Sequence, residues 1–89
     1  MTDQEAKAFY NKTEWKNPVN GKRIKILKRD HFECQKCVER LKKAKESGIR
    51  LTGEDAKIRR AVQVHHIKEL KDYPELGMDD DNLVSLCIQ

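Results

Sequence analysis

The chain predicts a small α+β domain: helices first, then a cysteine knuckle and a further helix, then a strand–loop–strand unit. Three observations predict it. Up to Glu46 the apolar residues recur at helical spacing among many charged ones. From Ala61 the pattern changes to a Val-rich alternation, and Leu83-Val84-Ser85-Leu86 follows as a second short apolar run. Between the two halves lies Cys34-Gln-Lys-Cys37, with a third cysteine at Cys87. The 89 residues leave room for one core, and the chain reads as a single domain over 1–89. Residues 1–33 form a basic helical part, and 34–89 hold the knuckle and the β segments. A chain this short buries only about 60–65% of its unfolded surface, so a structural metal would add useful stability.

Taken in order, residues 4–11 (QEAKAFYN) read as a helix with Phe9 and Tyr10 as buried candidates. Thr13 caps a short turn holding Trp15. Asn17-Pro18 interrupts, because the residue before proline is pushed away from helical angles, and Asn20-Gly21 marks a turn. Residues 22–30 (KRIKILKRD) place Ile24, Leu27 and His31 at helical spacing, with Lys22, Arg23, Lys25, Lys28 and Arg29 on the other face. The knuckle follows, then a second basic helix over 38–46, stopped by Ser47-Gly48. Residues 54–60 suggest a helical turn. Ala61–Ile67 predicts a strand, 68–82 a polar connection with Pro74, Gly77 and Asp79-Asp80-Asp81, and 83–86 a second strand.

Charge is distributed unevenly. Residues 1–68 carry 18 Lys/Arg against nine Asp/Glu, whereas 69–89 carry one Lys against six acidic residues. A basic excess of this kind suits a polyanion such as nucleic acid, and equally a solvated charged surface. No apolar run approaches the roughly 20 residues of a membrane span, and the N-terminus lacks the apolar core of a secretory signal. A soluble intracellular protein is expected.

Three motifs carry chemistry. Two thiolates separated by two residues can grip one zinc ion from a single turn, although ordinary cytosolic thiols share that spacing. A thioredoxin-like reading lacks its βαβ context. His65-His66 lies in a predicted strand, where neighbouring side chains point to opposite sides. One imidazole can therefore bind a metal while the other stays free to take a proton from water, since a metal-bound nitrogen is no base. Such a pair also occurs as plain surface or half-buried histidines. Asn82, at the loop end, is by itself a residue that satisfies backbone groups in a turn.

In their order, the basic helix, Cys34-x2-Cys37, Val64-His65-His66-Ile67, Asn82-Leu83 and Leu86-Cys87 resemble the HNH endonuclease family, whose fold is the ββα-metal (His-Me) finger. The likeness is to the small HNH nucleases common in phage genomes. It runs from about Phe9 to Gln89 and is strongest over 26–37 (ILKRDHFECQKC) and 62–87 (VQVHHIKELKDYPELGMDDDNLVSLC).

The resemblance implies a metal-dependent DNA endonuclease. His66 would be the general base toward water, and His65 would bind the catalytic divalent metal, Mg or Mn first, with Ni or Zn also suited to imidazole. Asn82 would bridge the loop between the strands and fix the base's orientation. Cys34, Cys37 and Cys87 would be three of four ligands of a structural zinc. Products would carry 5′-phosphate and 3′-hydroxyl ends. DNA is the implied partner, with phage packaging proteins as further partners, and the bacterial host cytoplasm the implied location. Phosphate contacts would come from Arg23, Lys28 and Arg29 on one helix and Lys42, Lys43 and Lys45 on the other. After Cys87 the family pattern continues with two residues, then Cys and His, then a helix, which places the fourth cysteine one position beyond Gln89. The chain is thus expected to be cut short before its fourth zinc ligand, its second metal-binding histidine and the terminal helix.

Two other classes fit the same residues: a non-catalytic DNA-binding zinc module, and an interaction piece whose zinc site is completed by a partner chain, with His31 as a spare ligand.

Overall fold

The computed structural model describes residues 1–88. Four helices precede a two-stranded antiparallel sheet. Helix α1 spans Asp3–Tyr10 and opens on a capping box, in which Thr2 and Glu5 exchange side-chain and backbone hydrogen bonds. Helix α2, Thr13–Lys16, is a single turn that buries Trp15. Helix α3 spans Lys22–Arg29 and helix α4 Gln35–Glu46. Strands β1, Gln63–His66, and β2, Leu83–Leu86, pair with Gln63 opposite Leu86 and His66 opposite Leu83. A 3-10 turn at Gly53–Ala56 lies between α4 and β1, and two more, at Pro74–Leu76 and Asp80–Asn82, break the connection between the strands. Among the described residues no helix follows β2, and no helix is long and apolar enough to cross a membrane.

The expected order of elements holds, with local differences. Helix α4 begins at Gln35 rather than 38, because Cys34 is its N-cap residue, so Cys37 sits in its first turn. The buried stripe of α3 is Ile26 and Leu27, with Ile24 half-buried and His31 exposed. His31 leaves the helical path because it and Phe32 adopt positive φ, 55° and 57°. This left-handed turn costs on the order of 1 kcal/mol per residue. It lets the Phe32 N–H reach back to the Leu27 carbonyl at 2.8 Å and delivers Cys34 to the Arg59 carbonyl at 2.9 Å. Residues 54–60 form only the short 3-10 turn, since Arg60 is drawn into a bridge with Glu33. β1 is limited to four residues by the length of its partner.

The segment from Asn17 to Gly21 is a tight turn. The Asn17 side chain accepts the N–H groups of Val19 and Asn20 at 2.8 and 3.2 Å. A Cβ on Gly21 would lie 2.6 Å from backbone atoms of Trp15 and Asn17, so only glycine fits there.

Two apolar clusters flank the sheet. Ala6, Phe9, Trp15, Ile26, Leu70 and Leu83 make the larger, with Val64 packed against it. The smaller is Cys34, Cys37, Leu86 and Cys87, with Val84 against it. Burying the Phe, Trp, Ile and Leu side chains contributes roughly 1.5–3 kcal/mol each, which fastens the N-terminal helices to the face of the sheet that carries His66.

Candidate active site

Alternation along β1 sends the two histidines different ways. His65 is exposed, while His66 is only 4% exposed. The His66 ring lies in an aromatic box built by the N-terminal helices. It stacks on Trp15 with centroids 5.3 Å apart and planes at 18°, and it meets the edges of Phe9 and Tyr10 at 5.7 and 6.0 Å. Its Nε2 lies 3.0 Å from the Gly77 carbonyl oxygen. A carbonyl only accepts, so Nε2 carries the proton and donates it. Nδ1 is left as the lone-pair atom, 3.4 Å from the Tyr10 hydroxyl. Burial pushes the imidazole pKa down; the Gly77 carbonyl opposes this and the neighbouring His65 adds to it. The ring is therefore held neutral, the form that can accept a proton. Both histidines line one cleft of about 310 Å³, together with Tyr10 and Glu69.

Asn82 closes the loop beneath them. Its side chain is buried; Oδ1 accepts the Lys68 N–H at 2.8 Å and Nδ2 donates to the Lys68 and Leu76 carbonyls at 3.2 and 3.4 Å. The Ile67 N–H donates to the Asn82 carbonyl at 2.8 Å. The backbone immediately after His66 is thus tied to the end of the loop that precedes β2.

Cys34, Cys37 and Cys87 converge from α4 and from the end of β2. All three are buried and unbridged, with sulfur atoms within 4.8 Å of one another. Burial pushes the Cys34 thiol up, but hydrogen bonds from the backbone and thiol groups of Cys87 and Cys37 more than offset it and bring it down to about 7. The hydrogen bond to Cys34, together with burial, pushes the Cys87 thiol up. A thiolate within reach of two more sulfurs is a donor set that suits zinc, whose bonds to sulfur are about 2.3 Å long. The cluster could hold such a metal. Among the described residues this is the one group of three or more metal-ligating side chains in mutual reach, and His65 offers a single imidazole to the cleft.

The basic residues divide. Lys28, Lys42, Lys43 and Lys45 are exposed, with Lys43 in an exposed pair with Glu39 at 3.1 Å. Arg23 and Arg29 instead hold the protein together. Arg23 donates to the Val62 carbonyl at 2.7 Å, and Arg29 to those of Asp80 and Leu83, each at 2.8 Å. Arg29 also grips Asp30, whose carboxylate accepts the Ser85 N–H at 3.1 Å. Lys22 pairs with Asp80 at 2.7 Å. The acidic loop is thus the partner of basic α3.

From sequence, Phe9 and Tyr10 are expected only as buried residues and Trp15 only as part of a short turn; none of the three is expected at the site. A signal was available: three of the five aromatic residues fall within Phe9–Trp15.

No family model and no curated protein matches the chain. Among solved structures, it is similar to the HNH endonuclease of the deep-sea thermophilic bacteriophage GVE2, crystallised with a manganese ion. The two share 36% identity over 96% of this chain and 72% of that one, with a TM-score of 0.68. The chain belongs to the HNH endonuclease family. A nuclease function in general follows from that membership. The small α+β fold is similar to that of the phage enzyme.

Proposed function

We propose that residues 1–89 act as one nuclease domain that hydrolyses DNA phosphodiester bonds with a divalent metal. One observation carries the reading: a neutral imidazole at His66 has its Nε2–H fixed on Gly77, leaving the Nδ1 lone pair beside a cleft that His65 also lines. Water gives a proton to Nδ1 as its oxygen bonds to phosphorus. The bond from phosphorus to the 3′ oxygen breaks, and the leaving oxygen keeps the electron pair and takes a proton from solvent. The ends are a 5′-phosphate and a 3′-hydroxyl, and His66 then returns its proton to solvent. A divalent cation held in part by His65 supplies Lewis-acid stabilisation of charge on the phosphate and the leaving oxygen. Mg and Mn are the first candidates, and the manganese of the phage structure supports the second. Asn82 keeps the loop behind the base in register, and Cys34, Cys37 and Cys87 hold a structural zinc. DNA phosphates meet Lys28, Lys42, Lys43 and Lys45 first. Arg29 has all three guanidinium nitrogens engaged, whereas Arg23 uses only Nη2 on the Val62 carbonyl and keeps donors free for a phosphate.

The test is cleavage of supercoiled plasmid with Mg or Mn. Wild-type protein should nick it. His66→Ala should lose at least about 100-fold in rate while still binding DNA, and His65→Ala should lose cleavage that higher metal concentrations partly restore. A His66→Ala variant that cuts normally overturns the base assignment. Wild-type protein that binds DNA but cuts with none of Mg, Mn, Ni or Zn would make it a non-catalytic DNA-binding zinc module.

A further inference from the structure

The Tyr10 hydroxyl is the protein group at the one unprotonated nitrogen of His66. The contact, 3.4 Å, is long for a hydroxyl donor, which usually sits at about 2.8 Å. Tyr10 differs from its box-mates in freedom. Phe9 and Trp15 are 7% and 3% exposed, whereas Tyr10 is 42% exposed, is the last residue of α1, and lines the cleft. Its ring leans edge-on against Phe9 and Trp15, at 5.6 and 5.7 Å. Because the hydroxyl is rigid with the ring, a small rotation of this exposed side chain about its Cα–Cβ bond carries the oxygen toward the cleft and opens space beside Nδ1. A water entering between Tyr10 Oη and His66 Nδ1 would exchange one long contact for two short ones.

We infer that Tyr10 is the second anchor of the attacking water. The water donates one O–H to Nδ1 and the other to Tyr10 Oη, and a lone pair is left pointing out of the box into the cleft, where phosphorus would lie. Two fixed hydrogen bonds set the direction of attack, which a single bond to the base does not. This rests on His66 being the base. It also makes α1 part of the catalytic apparatus, although α1 lies outside the His-His, Asn and Cys motif elements.

Tyr10→Phe is the decisive variant, because it removes one oxygen and leaves the ring. Single-turnover cleavage at saturating DNA should fall about 3- to 10-fold, the worth of one hydrogen bond, with DNA affinity and melting temperature unchanged. Histidine 15N spectra of the DNA-free protein need no turnover. Tyr10→Phe should shift the Nδ1 resonance of His66 and leave Nε2–H in place. A wild-type rate, a weaker DNA affinity with unchanged rate, or an unmoved Nδ1 resonance would each overturn the inference. His66→Ala separates the two failures. If it cuts normally the base reading falls; if it is inactive while Tyr10→Phe is normal, only the role of Tyr10 falls.

Discussion

Removing the amide of Asn82 tests how the loop between the strands is held. Asn82→Ala deletes the acceptor for the Lys68 N–H at 2.8 Å and the donor to the Lys68 carbonyl at 3.2 Å. The third contact, to Leu76 at 3.4 Å, is too long to count for much. Each good bond is worth about 0.5–1.5 kcal/mol, and an amide left without a partner adds about 1 kcal/mol or more. The sum is roughly 2–3 kcal/mol, which for a domain of this size lowers the melting temperature by about 10–20 °C. Asn82→Asp sharpens the test. It keeps the acceptor toward the Lys68 N–H but turns a second acceptor toward two carbonyls, so the isosteric change should rescue little at neutral pH. Thermal denaturation followed by circular dichroism measures both. A melting temperature within about 2 °C of wild type for Asn82→Ala, or full rescue by Asp, would refute the reasoning.

Two further outcomes follow from other parts of the structure. Chelation of metal, or Cys34→Ser, should lower the melting temperature by roughly 10 °C or more, since a ligand at about 100 times its Kd adds about 2.7 kcal/mol; metal analysis finding a zinc-free monomer of unchanged stability would contradict the cysteine site. Asp30 contributes to the acid limb. Burial raises its pKa, but the hydrogen bonds from Arg29 and Ser85 win and hold it below the ordinary carboxylate value. Its stabilisation is full above the unfolded-state pKa and is lost as pH falls through the folded one. Asp30→Asn should therefore be less stable than wild type at pH 7 in urea denaturation, with a gap that narrows by about pH 3; a gap of constant size would count against the network.

Local pattern made much of this molecule legible. Sequence pattern marked α1, α3 and α4 to within a few residues, and Val-rich alternation marked β1; α2 was legible only as a short turn, and Lys12 rather than Thr13 is its N-cap residue. The order of cysteines, paired histidines and asparagine pointed to the HNH family that the structural comparison shows. Helix spacing misled at α3, where Ile26 rather than Ile24 turns to the core, because the registry of a short helix is set by what it packs against.

By itself, then, the sequence determined element order, charge distribution and the residue types that chemistry requires, since these depend on neighbours along the chain. Tertiary structure decided which groups meet. It stacked His66 on Trp15, which lies 51 positions earlier in the chain, and left one imidazole nitrogen facing Tyr10. Arg29, basic and nominally a phosphate contact, is engaged with the carbonyls that join α3 to β2. The starting excess of positive charge is partly answered within the chain, where Lys22 meets Asp80 at the surface. Contacts between distant segments are set by how the whole chain packs, and no local spacing encodes them.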